Sequence, residues 1–417
     1  MELFANTSRA FRNKNYRSYF IWQLISFIGT WVQATAQSWL VYRLTQSALF
    51  LGTVSFVSSI PALILAPLAG VIADKFKRKY LLIGTQMLCV IHGILISILY
   101  FTNTINEWHV LFLGIILGIA NAFDMTARQS FTPLLVNTEE LTNAIALNSS
   151  MFNAARMIGP AIAGFLIAEY GEGICFALNT ISYIPIIIFI YLVNERKQII
   201  TKKTISIMEH IKEGISFALV NSPIKYSLLM VGIFSFCGVS FTALLPIFSD
   251  QILHSGAKGL GLLTGTSGIG AVCGGIFLAS REKVTGIKSI IAFSGIVGSI
   301  CLFIFSFSKS FLLSSCLLLV TGFSFITIFA GCNTFLQAFT PENLRGRIIS
   351  LFSTMLMGMY PLGSLAIGAI AQRTSVSFAV AMSSLICLFS AVIFSYHIPR
   401  LKKDTEKLIT IENEIIT

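Results

Sequence analysis

The sequence predicts an all-α membrane protein with twelve transmembrane helices, arranged as two pseudo-symmetric bundles of six. Three observations predict this fold: a shortage of charge, a one-sided distribution of basic residues, and an internal repeat. Of the 417 residues, 55% are hydrophobic and only 11% are charged, whereas a soluble domain carries about 25% charged residues. Most of the protein surface therefore faces something other than water.

Apolar runs of roughly 20 residues recur along the chain, which is long enough to cross a bilayer core of about 30 Å. The basic N-terminal segment leads into the first run without a small-residue cleavage site, so we expect this helix to stay in the membrane. The eight cysteines fall inside such runs, and none has metal-ligand or redox spacing. We predict spans at 17–42, 48–73, 80–101, 108–128, 140–168, 173–194, 224–249, 258–280, 287–307, 310–337, 347–371 and 375–396.

The basic residues lie on one side of this topology. Twenty-four of the 29 Lys and Arg residues fall in the two tails, the central segment and alternate loops. Only Arg43, Lys258, Lys309 and Arg373 fall on the other side, and Arg156 lies inside a span. This asymmetry predicts both termini in the cytoplasm. The net charge of +11 is then an insertion signal and not a nucleic-acid binding surface.

An internal repeat divides the chain in half. Gln129–Pro133 and Gln337–Pro341 share four of five residues and lie 208 residues apart, and Ser47–Gly52 and Gly256–Gly261 match at an offset of 209. Two matches at nearly one offset predict a repeated six-span unit, a recurring plan of transporters with a site between the halves. We predict an N-terminal bundle at 1–194, a cytoplasmic linker with a short amphipathic helix at 195–223, a C-terminal bundle at 224–397 and a cytoplasmic tail at 398–417.

The loop after the second span combines a glycine, a carboxylate and a cluster of basic residues, namely Gly70, Asp74, Lys75, Arg78 and Lys79. Gly70 allows helices to approach closely. Asp74, at the end of a span, can accept hydrogen bonds or pair with a basic group, and such a contact would close one side of the protein. The alternative is that the basic residues only set the orientation.

This loop resembles the signature loop of the major facilitator superfamily, although Lys77 stands where that loop has its second glycine. Asn121–Gln129, Asn153–Pro160 and Leu344–Arg347 resemble the branch of enterobactin exporters and macrolide efflux proteins, with Thr126 where that branch has proline. The resemblance covers essentially the whole chain. It implies the major facilitator fold and a secondary transporter working as an exporter.

Polar residues form a stripe along the first span. At 100° per residue they fit within about 80° of the helix circumference, over about 20 Å. Because lipid penalises such a stripe, it either lines a substrate cavity or forms hydrogen bonds between helices. Its members are Gln23, Ser26, Thr30, Gln33 and Gln37.

The fifth span places Arg156 near the bilayer midplane, on one face with Ser149 and Asn153. A charge there costs roughly 2.5–3.5 kcal/mol, so it must face a partner or a wet cavity. Arg156 either braces the bundle through carbonyls and polar side chains such as Asn121, or binds an anionic group of the substrate.

The remaining candidates extend the site and its moving parts. Asn333, Gln337 and Tyr360 are the counterparts of the cavity residues in the second half. Gly159, Pro160 and Gly164 combine a helix kink with a close-packing surface. We assign Asp124, Arg128, Arg345 and Arg347 to the gate beside the signature loop.

The energy source follows from what the sequence lacks. No nucleotide-binding loop occurs, so an ion gradient drives transport. The resemblance implies a proton, and the titratable candidates are Asp124, which can also form an i,i+4 ion pair with Arg128, and His92, which can also be a hydrogen-bonded helix residue. A carboxylate is absent from the first span.

We therefore predict a monomeric efflux transporter in a bacterial inner membrane, working by alternating access on a small amphipathic metabolite, siderophore-like, or a drug. We predict membrane lipid as a partner and no cofactor, metal or nucleic acid. A lysophospholipid or other lipid transporter of the same fold is the alternative. A membrane enzyme lacks support because no metal-ligand cluster or nucleophile–base pair occurs, and a channel lacks a pore-loop signature.

Overall fold

The protein is helical throughout the part that the computed structural model describes, which is residues 9–193, 207–281 and 286–416. No strand occurs in these ranges. The first six long helices are α1 (Lys14–Thr45), α2 (Ala48–Lys75), α3 (Arg78–Phe101), α4 (Glu107–Phe131), α5 (Thr138–Tyr170) and α6 (Glu172–Leu192).

The remaining helices begin with α7 (Ile207–Val220), which falls in the predicted linker. After it come α8 (Ser222–Ile252), α9 (Gly256–Ala279), α10 (Ile287–Phe307), α11 (Phe311–Phe339), α12 (Glu342–Arg373) and α13 (Val376–Ile416). Each predicted span coincides with one of the long helices.

Eleven helices of the described chain are long and apolar enough to cross a membrane. The first, α1, is 32 residues long but carries the polar stripe, which lowers its hydropathy. It is the twelfth span, and the predicted fold class is confirmed.

Local signals explain where the helices begin and end. The Asn13 side chain accepts hydrogen bonds from the backbone N–H groups of Asn15 and Tyr16 at the start of α1. Ser47 does the same for α2 through the N–H of Phe50. Such caps satisfy donors that the first helical turn leaves free. Gly171, at φ 78°, lies between α5 and α6 in a backbone conformation that residues other than glycine rarely adopt.

Both halves of the sequence use the same helix pairs. In the first half, α1 packs on α5 and α6, and α3 packs on α4 and α6. In the second half, α8 packs on α12 and α13, and α10 packs on α11 and α13. The first and fifth, first and sixth, third and fourth, and third and sixth spans of each half therefore pair in the same way, as the sequence repeat requires.

By contact, the described chain forms two compact units. The first contains the helices α1 to α6 together with Ser249–Gly265, and the second contains the described parts of Thr204–Phe248 and Thr266–Thr417. The segment Ser249–Gly265, which the repeat assigns to the second half, thus groups with the first half. We call it the crossover segment.

The second unit contains close helix crossings that only small residues allow. A Cβ atom added to Gly270 of α9 would collide with the backbone oxygen of Leu319 in α11, and one added to Gly322 of α11 would collide with that of Ser267. By contrast, a Cβ atom at Gly275, also in α9, would meet nothing within 4 Å. Helix α9 therefore packs closely on α11 with one face and leaves room on another.

We expect Gly270→Ala to destabilise the protein, because the backbone of α11 must shift to accommodate the methyl group. The cost is about 1–3 kcal/mol, as for other overpacked sites, and it should lower the thermal unfolding temperature of the purified protein. Gly275→Ala is the matched control on the same helix and should leave that temperature unchanged or raise it, since alanine favours a helix. Equal unfolding temperatures for the two variants would contradict the crossing.

Candidate functional site

The polar stripe of α1 lies inside the first unit. Gln23, Ser26, Gln33 and Gln37 have exposed fractions of 0%, 1%, 3% and 5%, and Thr30 is half-buried. The stripe turns toward protein, as the cost of polar groups in lipid demands.

Side chains from three helices form a directed hydrogen-bond network around the middle of this stripe. The Asn179 amide on α6 donates to Gln33 Oε1 at 2.8 Å and to the Tyr183 hydroxyl at 3.3 Å. Gln33 Nε2 lies 3.3 Å from His92 Nδ1 on α3. The hydroxyls of Tyr183 and Thr30 are 3.1 Å apart.

This arrangement displays the interhelical hydrogen bonds that were one of the two predicted roles of the stripe. Thr30 and Gln33 bond to α6 and α3. In the described part of the chain, the amide atoms of Gln23, the hydroxyl of Ser26 and Oε1 of Gln37 are buried without a hydrogen-bond partner. The assignment of the stripe to the substrate cavity stays a prediction.

A second buried cluster surrounds Asp124 on α4. Its Oδ1 accepts hydrogen bonds from Thr85 Oγ1 at 2.9 Å and Gln86 Nε2 at 2.5 Å. Its Oδ2 accepts from Arg128 Nε at 3.0 Å, and Arg128 Nη2 also pairs with it. The guanidinium carbon of Arg128 lies 4.7 Å from the centre of the Phe27 ring on α1. The predicted i,i+4 ion pair is therefore present and ties α1, α3 and α4 together.

The signature loop contributes helix-end contacts. Arg78 Nη1 donates to the Ser130 carbonyl at 3.1 Å, and Lys79 Nζ donates to the Val193 carbonyl at 2.8 Å. These bonds join the start of α3 to the ends of α4 and α6. The surroundings of Gly70 and the side chains of Asp74 and Lys75 lie outside the described part of the structure, so the role of Asp74 stays a prediction.

The predicted substrate residues of α5 follow one another along its length. Arg156 is half-buried, and its guanidinium carbon lies 5.9 Å from the centre of the Trp31 ring on α1. One turn earlier, Asn153 donates to the Ser149 carbonyl at 2.9 Å. Ser149 and Asn121 are exposed. Within the first unit, an arginine, an indole and two small polar groups therefore share this region of α5.

The predicted kink residues lie at two close helix approaches within the first unit. A Cβ atom at Gly159 would come 2.5 Å from Cβ of Trp31. One at Gly164 would come 3.0 Å from Cα of Gly261, which belongs to the crossover segment, and one at Gly261 would meet the Pro160 carbonyl. Small residues thus allow the crossover segment to pack closely on α5, and the role of Gly159, Pro160 and Gly164 in bending the helix stays a prediction.

Sequence reasoning missed the polar contacts near the C-terminal end of α1, around Tyr42 and Arg43. The Tyr42 hydroxyl donates to Asp250 Oδ2 of the crossover segment at 2.6 Å. Nearby, Glu172 is 3% exposed, pairs with Arg43 at 2.8 Å and accepts from the Tyr100 hydroxyl at 2.8 Å. The isolated Arg43, one of four basic residues on its side, was the available signal.

The remaining candidates lie in the second unit. Gln337 Nε2 donates to Asn333 Oδ1 at 3.1 Å, one turn apart on α11. The Tyr360 carbonyl on α12 accepts from Ser240 on α8 at 3.3 Å. Arg347 pairs with Glu213 of the linker helix α7, and Arg345 is half-buried. Among the described residues, no group of three potential metal ligands forms.

We expect Asp124→Asn to destabilise the first unit, because the substitution leaves the Arg128 charge buried without its counter-charge. Breaking a buried pair in this way costs about 3–5 kcal/mol, and it should lower both the yield of folded protein and its unfolding temperature. Glu169→Gln, at an exposed position on α5, is the matched control. An Asp124→Asn variant as stable as that control would show that Arg128 does not need the carboxylate.

Comparison with known proteins places this architecture in a family. A family profile described as transmembrane secretion effector matches residues 5–415. The staphyloferrin A transporter of Staphylococcus aureus is 25% identical over 386 residues, which cover 89% of this chain and 93% of that protein. The macrolide efflux protein A of Streptococcus pyogenes is 24% identical over 394 residues, or 91% of this chain and 95% of the other.

Solved structures agree on the fold. A bacterial homologue of the iron transporter ferroportin, in an inward-facing state, superposes with a TM-score of 0.71 at 17% identity, over 92% of this chain and 98% of that one. The D-xylose–proton symporter gives a TM-score of 0.71 at 14% identity, over 91% and 96%. The matched family and the named relatives are transporters, so the prediction that the chain is not an enzyme is confirmed, as is the predicted resemblance. The protein is a member of the transmembrane secretion effector family of the major facilitator superfamily.

Proposed function

We propose that this protein exports a small amphipathic anion, of siderophore or drug type, across a bacterial inner membrane by alternating access driven by an ion gradient, with the proton as the coupling ion. The named relatives support a siderophore or a drug as the type of substrate, since one is a staphyloferrin A transporter and another a macrolide efflux protein. Membership of a secretion family supports export as the direction.

The observation that carries the anionic substrate is the position of Arg156 beside Trp31. An arginine in the middle of a span is costly unless a partner or water compensates it. Its guanidinium offers planar donors that match a carboxylate or a phenolate, while the indole offers an apolar surface next to it. Asn153 and Ser149 add neutral polar groups along the same helix. Together these groups fit a molecule that is apolar at one end and anionic at the other.

The distribution of basic residues supports the orientation. The ends of α3 and α4 that carry Arg78, Lys79 and Arg128 face the cytoplasm in this proposal, as the positive-inside rule requires. An inside-negative membrane potential then favours the exit of an anion by about 2.3 kcal/mol per charge at 100 mV.

The crossover segment supplies the movable contact. In the described conformation Asp250 accepts from Tyr42, and Gly261 packs on Gly164. Both contacts lie toward the Arg43 end of the helices, which is the outer end in this orientation. Opening toward the outside requires the crossover segment to leave α1 and α5, which means breaking one charge-assisted hydrogen bond and one glycine contact.

A deletion strain tests the proposal through the composition of its culture medium, with and without iron limitation. We expect an anionic amphipathic compound to disappear from the medium and to accumulate in the cells, and the wild-type gene to restore its export. Arg156→Ala should restore export at least about tenfold less well, because losing a charge-assisted hydrogen bond costs more than the 1.4 kcal/mol that a factor of ten represents.

Arg373→Ala, at an exposed position near the end of α12, is the matched control and should restore export fully at equal membrane abundance. An unchanged medium would contradict export. A deletion strain that differs only in the distribution of its lysophospholipids would favour the lipid transporter of the same fold.

A further inference from the structure

The first unit contains an imidazole that none of the proposed substrate contacts uses. His92 has an exposed fraction of 0%. It lies on α3 at the end of the hydrogen-bond network formed by Gln33, Asn179, Tyr183 and Thr30. Its Nε2 atom is buried and has no hydrogen-bond partner in the described part of the chain. Like the buried atoms of Gln23 and Ser26 that have no partner among the described residues, it calls for an explanation.

The network indicates which nitrogen of His92 carries the proton. The Asn179 amide nitrogen donates to Gln33 Oε1 at 2.8 Å, while Asn179 Oδ1 lies 3.1 Å from the Ser182 hydroxyl, which also donates to the Asn179 carbonyl at 2.7 Å. Gln33 must therefore present Nε2, which is only a donor, to His92 Nδ1. Nδ1 is then the acceptor, and the single proton of the neutral ring resides on the unpartnered Nε2.

Adding a second proton to His92 would reverse this network. A protonated Nδ1 is a donor and cannot face the Gln33 amide nitrogen. Gln33 must rotate its oxygen toward His92, which turns its nitrogen toward the Asn179 nitrogen, so Asn179 must rotate as well. The rotated Asn179 oxygen can then accept from Gln33 and from the Tyr183 hydroxyl. Protonation therefore changes contacts on α1, α3 and α6 at once.

We propose that His92 is a proton-binding site, separate from the substrate site, and that Gln33 and Asn179 transmit its protonation to α1 and α6. This inference rests on the proposed proton-coupled export, and it names His92 as the residue that binds the coupling proton. The uptake is a simple binding event: one proton bonds to Nδ1, the ring gains one positive charge, and no other bond is formed or broken.

Other titratable groups around the network are less suited than His92 to bind the proton. The buried titratable groups that interact with Tyr183 of this network are Cys89 on α3 and Asp124, which pairs with Arg128, on α4. Asp124 is already paired with Arg128 and bonded to Thr85 and Gln86. Helix α1 presents only amides and hydroxyls to the network, and the described side chains of α2 include no titratable one.

Nuclear magnetic resonance of the full chain, labelled with ¹⁵N-histidine in lipid nanodiscs, tests the site without a substrate. The signal of His92 is the one of five histidine signals that His92→Gln removes. We expect the Nε2–H tautomer at high pH and a doubly protonated ring on acidification. A His92 that is an Nδ1–H tautomer, or that stays neutral at every pH at which the protein remains folded, overturns the proposal.

Gln33→Glu gives a second test, because its carboxylate offers Nδ1 an acceptor without any rotation. It should keep His92 protonated to a pH at least about one unit higher than in the wild type, since an adjacent opposite charge favours the charged form. An unshifted titration would overturn the role of Gln33. His109→Gln, outside the network, should leave the His92 titration unchanged, and a change would show that the signal does not report the network.

Export by cells separates this inference from the proposed function. If nigericin, which collapses the pH gradient, lowers export by the wild type and His109→Gln but not the residual export by His92→Gln, His92 couples the proton. If nigericin lowers export equally in all three proteins, the proton site at His92 is wrong but the proposed function stands. If nigericin does not change export by the wild type, both the proposed proton coupling and the role of His92 are wrong. If His92 takes up a proton but the protein exports nothing, the proton site stands and the proposed export function is wrong.

Discussion

The need to hide the polar side chains of α1 from lipid is the constraint on which the rest of the first unit depends. Each unsatisfied polar group in a bilayer core costs several kcal/mol, and α1 carries five polar residues on one face. Helices α3 and α6 supply partners for two of these residues, Thr30 and Gln33, with His92, Asn179 and Tyr183. The first unit is in this sense built around its most polar helix.

The second unit meets the same constraint in a different way. Among the described residues, its buried polar side chains are all serine and threonine hydroxyls, whereas the buried amides, acids and imidazole belong to the first unit. Hydroxyls such as those of Ser227 and Ser299 bond to the carbonyl of their own helix four residues earlier. A helix whose polar groups are satisfied internally needs no polar partner, so glycine crossings such as that at Gly270 can bring helices together instead.

Much of this could be predicted from the sequence, and the limits have a physical origin. Hydropathy and the repeat predict every span, and the spacing of Asp124 and Arg128 predicts their ion pair, because these signals depend on neighbours along one helix. The partner of a stripe depends on how helices pack, so the stripe was predicted but Asn179 and Tyr183 were not. Tyr42 and Asp250 lie 208 residues apart, and no local pattern connects them. The same distance hides the grouping of the crossover segment with α1 and α5.

The polar stripe of α1 is buried inside the first unit, and the proposed substrate contact at Arg156 requires the opposite of the α5 face, namely access to water. In a background in which the native cysteines are replaced, Asn153→Cys should react readily with a water-soluble maleimide in intact membranes. Gln33→Cys should stay unreacted until the protein is unfolded, because its buried position excludes a bulky reagent. Equally fast labelling at both positions would show that α1 lines a water-filled cavity and would contradict the account.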